Sequence, residues 1–311
     1  MANSKIRFEG RVAIVTGAGT GLGRSHALGL AARGAKVMVN DLGVSRDGQG
    51  ASSTAAETVA AEIRALGGEA MAHGTDVSDE DGVADMVAMV MQTWGRVDIA
   101  VNNAGILRDK TFAKMPMADF RKVVDVHLIG STLVSHACWP IMRQQQYGRI
   151  VLTSSASGLY GNFGQSNYGA AKAAMMGLMN VLHIEGARDN IRVNTLAPTA
   201  ATRMTEELLP AEAQKLLAPE MITPGLLYLA SEDAPSKMIL GAGAGSYAQT
   251  RVYETKGITL DGDANTPEGV AAAMEQLVDP TDQEEMADAF SQTKKYARNA
   301  AKAKGLDLGW D

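Results

Sequence analysis

The chain has 311 residues, 46% of them hydrophobic, 5% aromatic and 21% charged, with 33 glycines and 17 methionines. That length buries a sizeable core, makes one main domain the default and excludes a disordered chain. A net charge of −6 argues against nucleic acid or an anionic membrane as partners, because both repel such a surface on average, and leaves open only a local basic pocket for an anionic substrate.

The amino terminus reads MANSKIRFEGRVAIVTGAG. Its apolar run is too short to span a bilayer and lacks the long apolar stretch and small-residue cleavage site of a secretory signal, so the expectation is a cytoplasmic protein without membrane insertion. Short β-branched apolar runs then alternate with longer helical ones, the pattern of a parallel sheet covered on both faces. Strands are predicted over residues 11–16, 36–41, 69–76, 97–102, 148–154, 191–196 and about 238–242. The expected fold is therefore α/β, a doubly wound Rossmann-type fold with a seven-stranded parallel sheet flanked by helices.

The first helix starts inside residues 20–23, runs to about Arg33 and ends on Gly34 as a left-handed cap. A glycine-rich loop, GVSRDGQGASS at 43–53, precedes a helix over 54–66, and another helix begins near Asp79–Glu80. A long helix begins at Pro116 and extends to about Gln146, with Pro140 kinking or interrupting it; one more covers about 165–187. Cys138, the one cysteine, lies in an apolar stretch and reads as a buried thiol. Residues 199–221, broken by Pro210 and Pro219, follow the sixth strand at the carboxyl edge of the sheet. They read as a substrate lid or as a permanently packed surface helix. Residues 1–245 form the Rossmann domain in this reading. Residues 246–311 are an extension, packed on the same domain or on a partner subunit, whose segments 267–274, 280–290 and 294–304 read as helices or as partly ordered pieces outside the sheet.

TGAGTGLG, residues 16–23, stands between the first strand and the first helix. Gly17, Gly21 and Gly23 remove side chains where the chain turns, where a pyrophosphate approaches and where helix meets strand. The helix start, with Thr20 and Leu22, offers unpaired N–H groups and a positive dipole end to the phosphates. Asp41 closes the second strand, where its carboxylate accepts the ribose hydroxyls of NAD and repels a 2′-phosphate, which favours NAD over NADP. A capping or turn aspartate, or an Arg46 that folds back to offset the charge, are the alternatives. Asp76 either accepts from the adenine amino group, with Val77 packed on the ring, or caps the next helix. After the fourth strand, NNAG supplies Asn103, Ala104 and Gly105, two of them small enough for close backbone approach to the cofactor.

The fifth strand delivers Ser154 and Ser155 to the same edge, and Tyr168 and Lys172 follow in YGAAK. The i to i+4 spacing places both side chains on one helix face. An adjacent ammonium favours the phenolate of a tyrosine, so Lys172 would lower the phenol pKa of Tyr168. Tyr168 would then exchange a proton with a carbinol while hydride moves to or from a nicotinamide, and Ser155 would hold the oxygen.

In this order the residues resemble the short-chain dehydrogenase/reductase pattern TGxxxGxG, NNAG, serine and YxxxK over about residues 8–245. More narrowly, NDLG, NNAGILRDKTF, VHLIGS, YGRIVLTSSASGLYGNFGQSNYGAAKAA, NTLAPTAATRMT and GAGAGSYAQTRVYETKG are similar to the (3R)-hydroxyacyl-CoA dehydrogenase domain of peroxisomal type 2 multifunctional β-oxidation enzymes. The resemblance implies NAD at Asp41 and Asn103, an acyl-CoA substrate oxidised from (3R)-3-hydroxyacyl to 3-ketoacyl, and a homodimer or homotetramer built on the long central helices. It also implies Thr202 beside the carboxamide, and an Arg203 that either attracts a CoA phosphate or faces solvent. Two departures stand out. His127 occupies the position of a family asparagine that completes a tetrad through a water, a role its main-chain carbonyl can fill while its ring satisfies local packing. Pro198-Thr199 replaces the usual Pro-Gly. A hydroxysteroid or other secondary-alcohol dehydrogenase is the second reading, and a catalytically idle dinucleotide-binding scaffold the third. No metal is expected.

Overall fold

A computed structural model describes residues 5–45, 47–50, 54–200 and 211–309. The chain divides into two compact units, Met1–Gln249 and Thr250–Asp311.

The larger unit is built on β1 (Val12–Thr16), β2 (Lys36–Asn40), β3 (Ala70–His73), β4 (Ile99–Asn102), β5 (Gly148–Thr153), β6 (Ile191–Pro198), β7 (Ile239–Gly243) and β8 (Ser246–Thr250), in the order β3-β2-β1-β4-β5-β6-β7-β8. The first seven pair in parallel, with Val15 of β1 opposite Val39 of β2 on one side and Val101 of β4 on the other. Alternation along β1 divides the core. Ala13 and Val15 face a layer with α1 (Gly21–Ala31), α2 (Thr54–Ala65) and α9 (Thr223–Ala230), which contribute Leu30, Ile63 and Leu226. Val12 and Ile14 face the opposite layer, where α3 (Glu80–Trp94), α5 (Gly130–Gln145) and α7 (Ser166–Gly186) contribute Met86, Met142 and Met175. Two covered faces explain why these strands read as continuous apolar runs.

Chain order reverses between β1 and β4. The loops leaving those two strands therefore diverge at the carboxyl edge and open a crevice there.

The expected seven-stranded, all-parallel sheet is corrected by β8. Ala244 and Gly245 have φ of 50° and 73°, the pair of positive values that a two-residue hairpin turn needs, and so short a link joins only antiparallel strands. Its first four residues are exposed, so β8 lacks the apolar alternation by which the other strands were recognised. The third strand is also shorter than expected and ends at His73, leaving Thr75 and Asp76 in the loop beyond it.

The long central helix forms as α4 (Met117–Val124), a π-helical turn at Asp125–Ile129, and α5. Pro140 lies inside α5 without ending it, while the irregularity falls on the VHL run instead. The remaining helices of this unit are the short α6 (Ala156–Tyr160) and α8 (Ala211–Leu216).

The smaller unit holds α10 (Pro267–Ala272), α11 (Met274–Leu277) and α12 (Ala289–Ala303). The helix expected over 280–290 does not form. Glu284 instead bridges Glu254 in an extended pairing, and α12 begins only after Asp288, whose carboxylate accepts from Ser291 N at 2.7 Å as an N-cap. Among the described residues no helix is long and apolar enough to cross a membrane.

Candidate active site

The crevice is a cavity of about 490 Å³ that extends from the glycine loop to Ser155, Tyr168 and Asp109. At one end the chain leaves β1 through Gly17 and Gly21, with φ of 61° and 54°. A Cβ on Gly23 would lie 2.1 Å from the carbonyl oxygen of Gly17, and one on Gly17 would lie 2.7 Å from Ala104 Cα. Side chains are thereby excluded from the loop, and Thr20, Gly21 and Leu22 line the cavity where α1 presents its first N–H groups.

Asp41 lines the same end. Its Oδ2 accepts from Gly19 N and its Oδ1 from Gly43 N, each at 2.7 Å. The carboxylate is thus also a turn aspartate that braces the glycine loop. Arg46 lies outside the described residues. Asn40, which the sequence reading passed over, is buried and fastens the next strand end: Thr75 N donates to its Oδ1 at 3.1 Å and its Nδ2 donates to Thr75 O at 3.3 Å.

Asp76 and Val77 line the cavity beside Lys122. Asp76 does not cap α3, whose N-cap position is Asp79. Its Oδ1 accepts from Ser78 N and Oγ at 2.9 and 2.7 Å, and Lys122 Nζ donates to its Oδ2 at 3.1 Å. Burial opposes ionisation of Asp76, but the Ser78 and Lys122 hydrogen bonds prevail and hold its pKa below the ordinary value. Asn103 acts through the loops: its Nδ2 donates to the carbonyls of Thr16 and Gly17 at 3.1 and 3.0 Å, clasping the β4 loop to the glycine loop. Ala104 and Gly105 line the cavity floor. The Cβ-free cradle and the exposed helix start suit the phosphates of a dinucleotide.

At the other end α6 starts directly after Ser155, whose Oγ caps it by accepting from Ser157 N at 3.2 Å. Ser155 shares the cavity wall with Tyr168, which emerges from the first turn of α7. Lys172 lies one turn on and is buried. Its Nζ donates to Thr153 O at 2.6 Å and stands 5.7 Å from the Tyr168 ring centroid. The expected depression of the Tyr168 pKa by Lys172 is corrected here. Burial pushes the phenol up, the neighbouring Ser155 hydroxyl opposes that, and the Asp109 charge adds to the rise. Burial instead pulls Lys172 down to about 7.

His127 sits in the π-helical turn, buried, with its ring 5.2 Å from that of Tyr168 and nearly perpendicular at 86°. Its Nε2 lies 3.1 Å from Ile106 N and 2.8 Å from Ile106 O, so the ring is anchored locally by one tautomer or the other. Burial first, then the Lys172 charge, hold it well below the ordinary histidine pKa and therefore neutral. Gly105 makes room for it, since a Cβ there would meet the ring at 2.3 Å. Pro198, Thr199 and Ala200 line the cavity at the end of β6. Thr202 and Arg203, and residues 201–210 of the expected lid, lie outside the described residues.

Sequence reading also missed Asp109, Ser157, Asn162 and Gln165, which line the reacting end, and buried Asn167, whose Nδ2 donates to Arg108 O at 3.0 Å and so ties α7 to the loop after β4. The polar run before YGAAK was the one local signal for Asn162, Gln165 and Asn167.

The sequence profile of the short chain dehydrogenase family matches residues 11–213. A Mycobacterium tuberculosis protein named as a short-chain type dehydrogenase/reductase is 46% identical over 272 residues, covering 87% of this chain and 95% of its own. The Drosophila melanogaster peroxisomal multifunctional enzyme type 2 is 48% identical over 260 residues, or 83% of this chain and 43% of that enzyme. Its full-length structure superposes with a TM-score of 0.81 and 37% identity, over 96% of this chain and 50% of that one. The chain thus spans about half the length of the multifunctional relative. A 7α-hydroxysteroid dehydrogenase complexed with NADH and 7-oxo glycochenodeoxycholic acid superposes with a TM-score of 0.70 and 32% identity, over 77% of this chain and 95% of that one.

The expected cytoplasmic location is corrected by these relatives. The fly enzyme and its counterparts from mouse and Dictyostelium discoideum are peroxisomal enzymes, not cytoplasmic proteins. Peroxisomal addresses are short receptor-read segments, which an apolar-run reading of a sequence does not detect. On the family match and the shared fold together, the chain belongs to the short-chain dehydrogenase/reductase family, as an NAD-dependent enzyme acting on a CH–OH group.

Proposed function

We propose that this chain oxidises (3R)-3-hydroxyacyl-CoA to 3-ketoacyl-CoA, with Ser155, Tyr168 and Lys172 as its catalytic residues. The observation that carries the reading is that Ser155, Tyr168 and Lys172 line one end of a single cavity whose other end is the glycine loop and Asp41. The similarity to multifunctional enzymes of β-oxidation supports an acyl-CoA substrate.

NAD, when bound, supplies the acceptor for the hydride leaving the carbinol carbon. Ser155 Oγ orients the carbinol oxygen, and Tyr168 Oη takes its proton as the carbonyl forms, so one proton and one hydride leave together. Lys172, buried and titrating near 7, fastens α7 to the end of β5 through its hydrogen bond to Thr153 O and so positions Tyr168 beside Ser155. A second reading, a steroid or other secondary alcohol, is favoured by the likeness to the hydroxysteroid dehydrogenase. Steady-state turnover on a panel of (3R)-hydroxyacyl-CoA esters of increasing length and of hydroxysteroids tests the choice. Turnover of the steroids alone overturns the acyl-CoA reading.

Asp41 is expected to make NAD bind at least about tenfold more tightly than NADP, since a 2′-phosphate would face its carboxylate. Asp41→Asn, which keeps an acceptor oxygen and removes the charge, is expected to narrow that ratio. Titration of both proteins with both cofactors checks it, and equal or tighter NADP binding by the unaltered protein contradicts the assignment.

We further propose a homodimer as the minimum assembly, joined through α5 and α7. Ile129 at the start of α5 and Val181 and Ile184 on α7 are exposed apolar residues near a small cavity lined by Trp139, Leu178 and Leu182. Sedimentation at low micromolar concentration should give at least twice the monomer mass. A fully active monomer would count against the interface.

A further inference from the structure

The reacting end of the cavity carries a polar wall that the proton transfer does not use. Gln165 Oε1 accepts from Ser157 Oγ at 2.7 Å and from Asn162 Nδ2 at 3.0 Å, and Gln165 Nε2 donates to Asp109 Oδ2 at 2.7 Å. With two donors on its oxygen the Gln165 amide has one orientation, and Asp109 Oδ2 is the acceptor for its Nε2. Ser157 N in turn donates to Ser155 Oγ. The wall therefore adjoins the place where a carbinol oxygen would meet Ser155 and Tyr168.

No cation answers this carboxylate among the described lining residues. Lys122 is paired with Asp76, and Lys172 Nζ donates to Thr153 O. Arg108, next to Asp109 in the chain, is turned away: its Nε donates to Asp47 O at 2.8 Å and its Nη1 to Asp119 Oδ1 at 2.9 Å. A second negative charge placed here would meet repulsion that none of the described lining side chains offsets, moderated by the solvent that reaches Asp109.

We propose that Asp109, oriented by Gln165, is a charge filter: the reacting end accepts the carbinol of a neutral 3-hydroxyacyl ester or thioester and rejects the free 3-hydroxy acid, whose carboxylate lies two carbon–carbon bonds from the reacting carbon. This rests on the placement of the carbinol at Ser155 and Tyr168. Asp109 forms no bond to the reacting atoms and acts on specificity alone. Its charge already reaches the site, since it adds to the burial that holds the Tyr168 phenol up.

The test compares oxidation by NAD of three substrates that share one carbinol: the pantetheine thioester of (3R)-3-hydroxybutanoic acid, its methyl ester and the free acid. Asp109→Asn is expected to raise kcat/KM for the free acid relative to the methyl ester by about tenfold, chiefly through a lower KM for the acid. In the unaltered protein added salt is expected to narrow the ester-to-acid ratio by screening, and in the variant to leave it nearly constant, a response that a purely structural role for Asp109 would not produce. An unchanged ratio in the variant, or a salt response equal in both proteins, overturns the filter and leaves the acyl-thioester reading standing. Turnover of the methyl ester without the thioester overturns that reading while the ester-to-acid ratio still tests the filter. Turnover of none of the three overturns both.

Discussion

Tyr168→Phe is expected to lower kcat by about 10³ while the protein folds and binds NAD, because general acid–base transfer is worth roughly 10²–10⁴ and the substitution removes only the transferring oxygen. The stability cost is expected to be no more than about 1 kcal/mol, the typical worth of one hydrogen bond. The pH profile separates a lost proton-transfer group from disturbed packing. Burial raises the phenol above its ordinary value, so oxidation by the unaltered enzyme should quicken with rising pH as more phenolate becomes available, and the residual rate of the phenylalanine variant should lose that dependence. Steady-state and single-turnover kinetics measure it. A kcat within about threefold of the unaltered enzyme would exclude the acid/base role.

Lys172→Met is expected to abolish most turnover and yet stabilise the cofactor-free fold near neutral pH. Lys172 is fully buried and titrates at about 7 instead of 10.5. Its folded pKa lies below its unfolded one, so below pH 7 both states are charged and the folded state carries the whole desolvation penalty, on the order of 4 kcal/mol. Between pH 7 and 10.5 the unfolded chain still holds the proton that the folded chain has released, so the stability of the unaltered protein rises with pH and the penalty fades. Methionine removes the charge but also the hydrogen bond to Thr153 O, leaving a net gain of about 2 kcal/mol at pH 6. The variant's advantage should shrink steadily as pH rises to 9. Denaturant unfolding of both proteins across that range measures it. A variant less stable at pH 6, or an advantage that grows with pH, would show that Lys172 is not held against its own charge.

The features legible in the sequence are those whose physics is local. Strand alternation and helix periodicity fix which way a side chain points within a few residues, so seven strands and the layers over them followed from pattern alone. TGAGTGLG declares its turn because a Cβ at Gly17 or Gly23 has no room, and Tyr168 and Lys172 declare a shared face because their spacing is one helical turn. β8 was hidden because its residues are mostly exposed and carry no alternation. Residues 280–290 carried a helix-like pattern that lost to an extended pairing of Glu284 with Glu254. The site's electrostatics depended wholly on tertiary structure. Asp76 meets Lys122 across 46 positions, and Gln165 meets Asp109 across 56. Only the closed fold brings those loops to one edge of the sheet. Even the paired Tyr168 and Lys172 had their titration set by burial between α6, α7 and β5 and not by their spacing, because removal from water outweighs what one helical turn of proximity supplies.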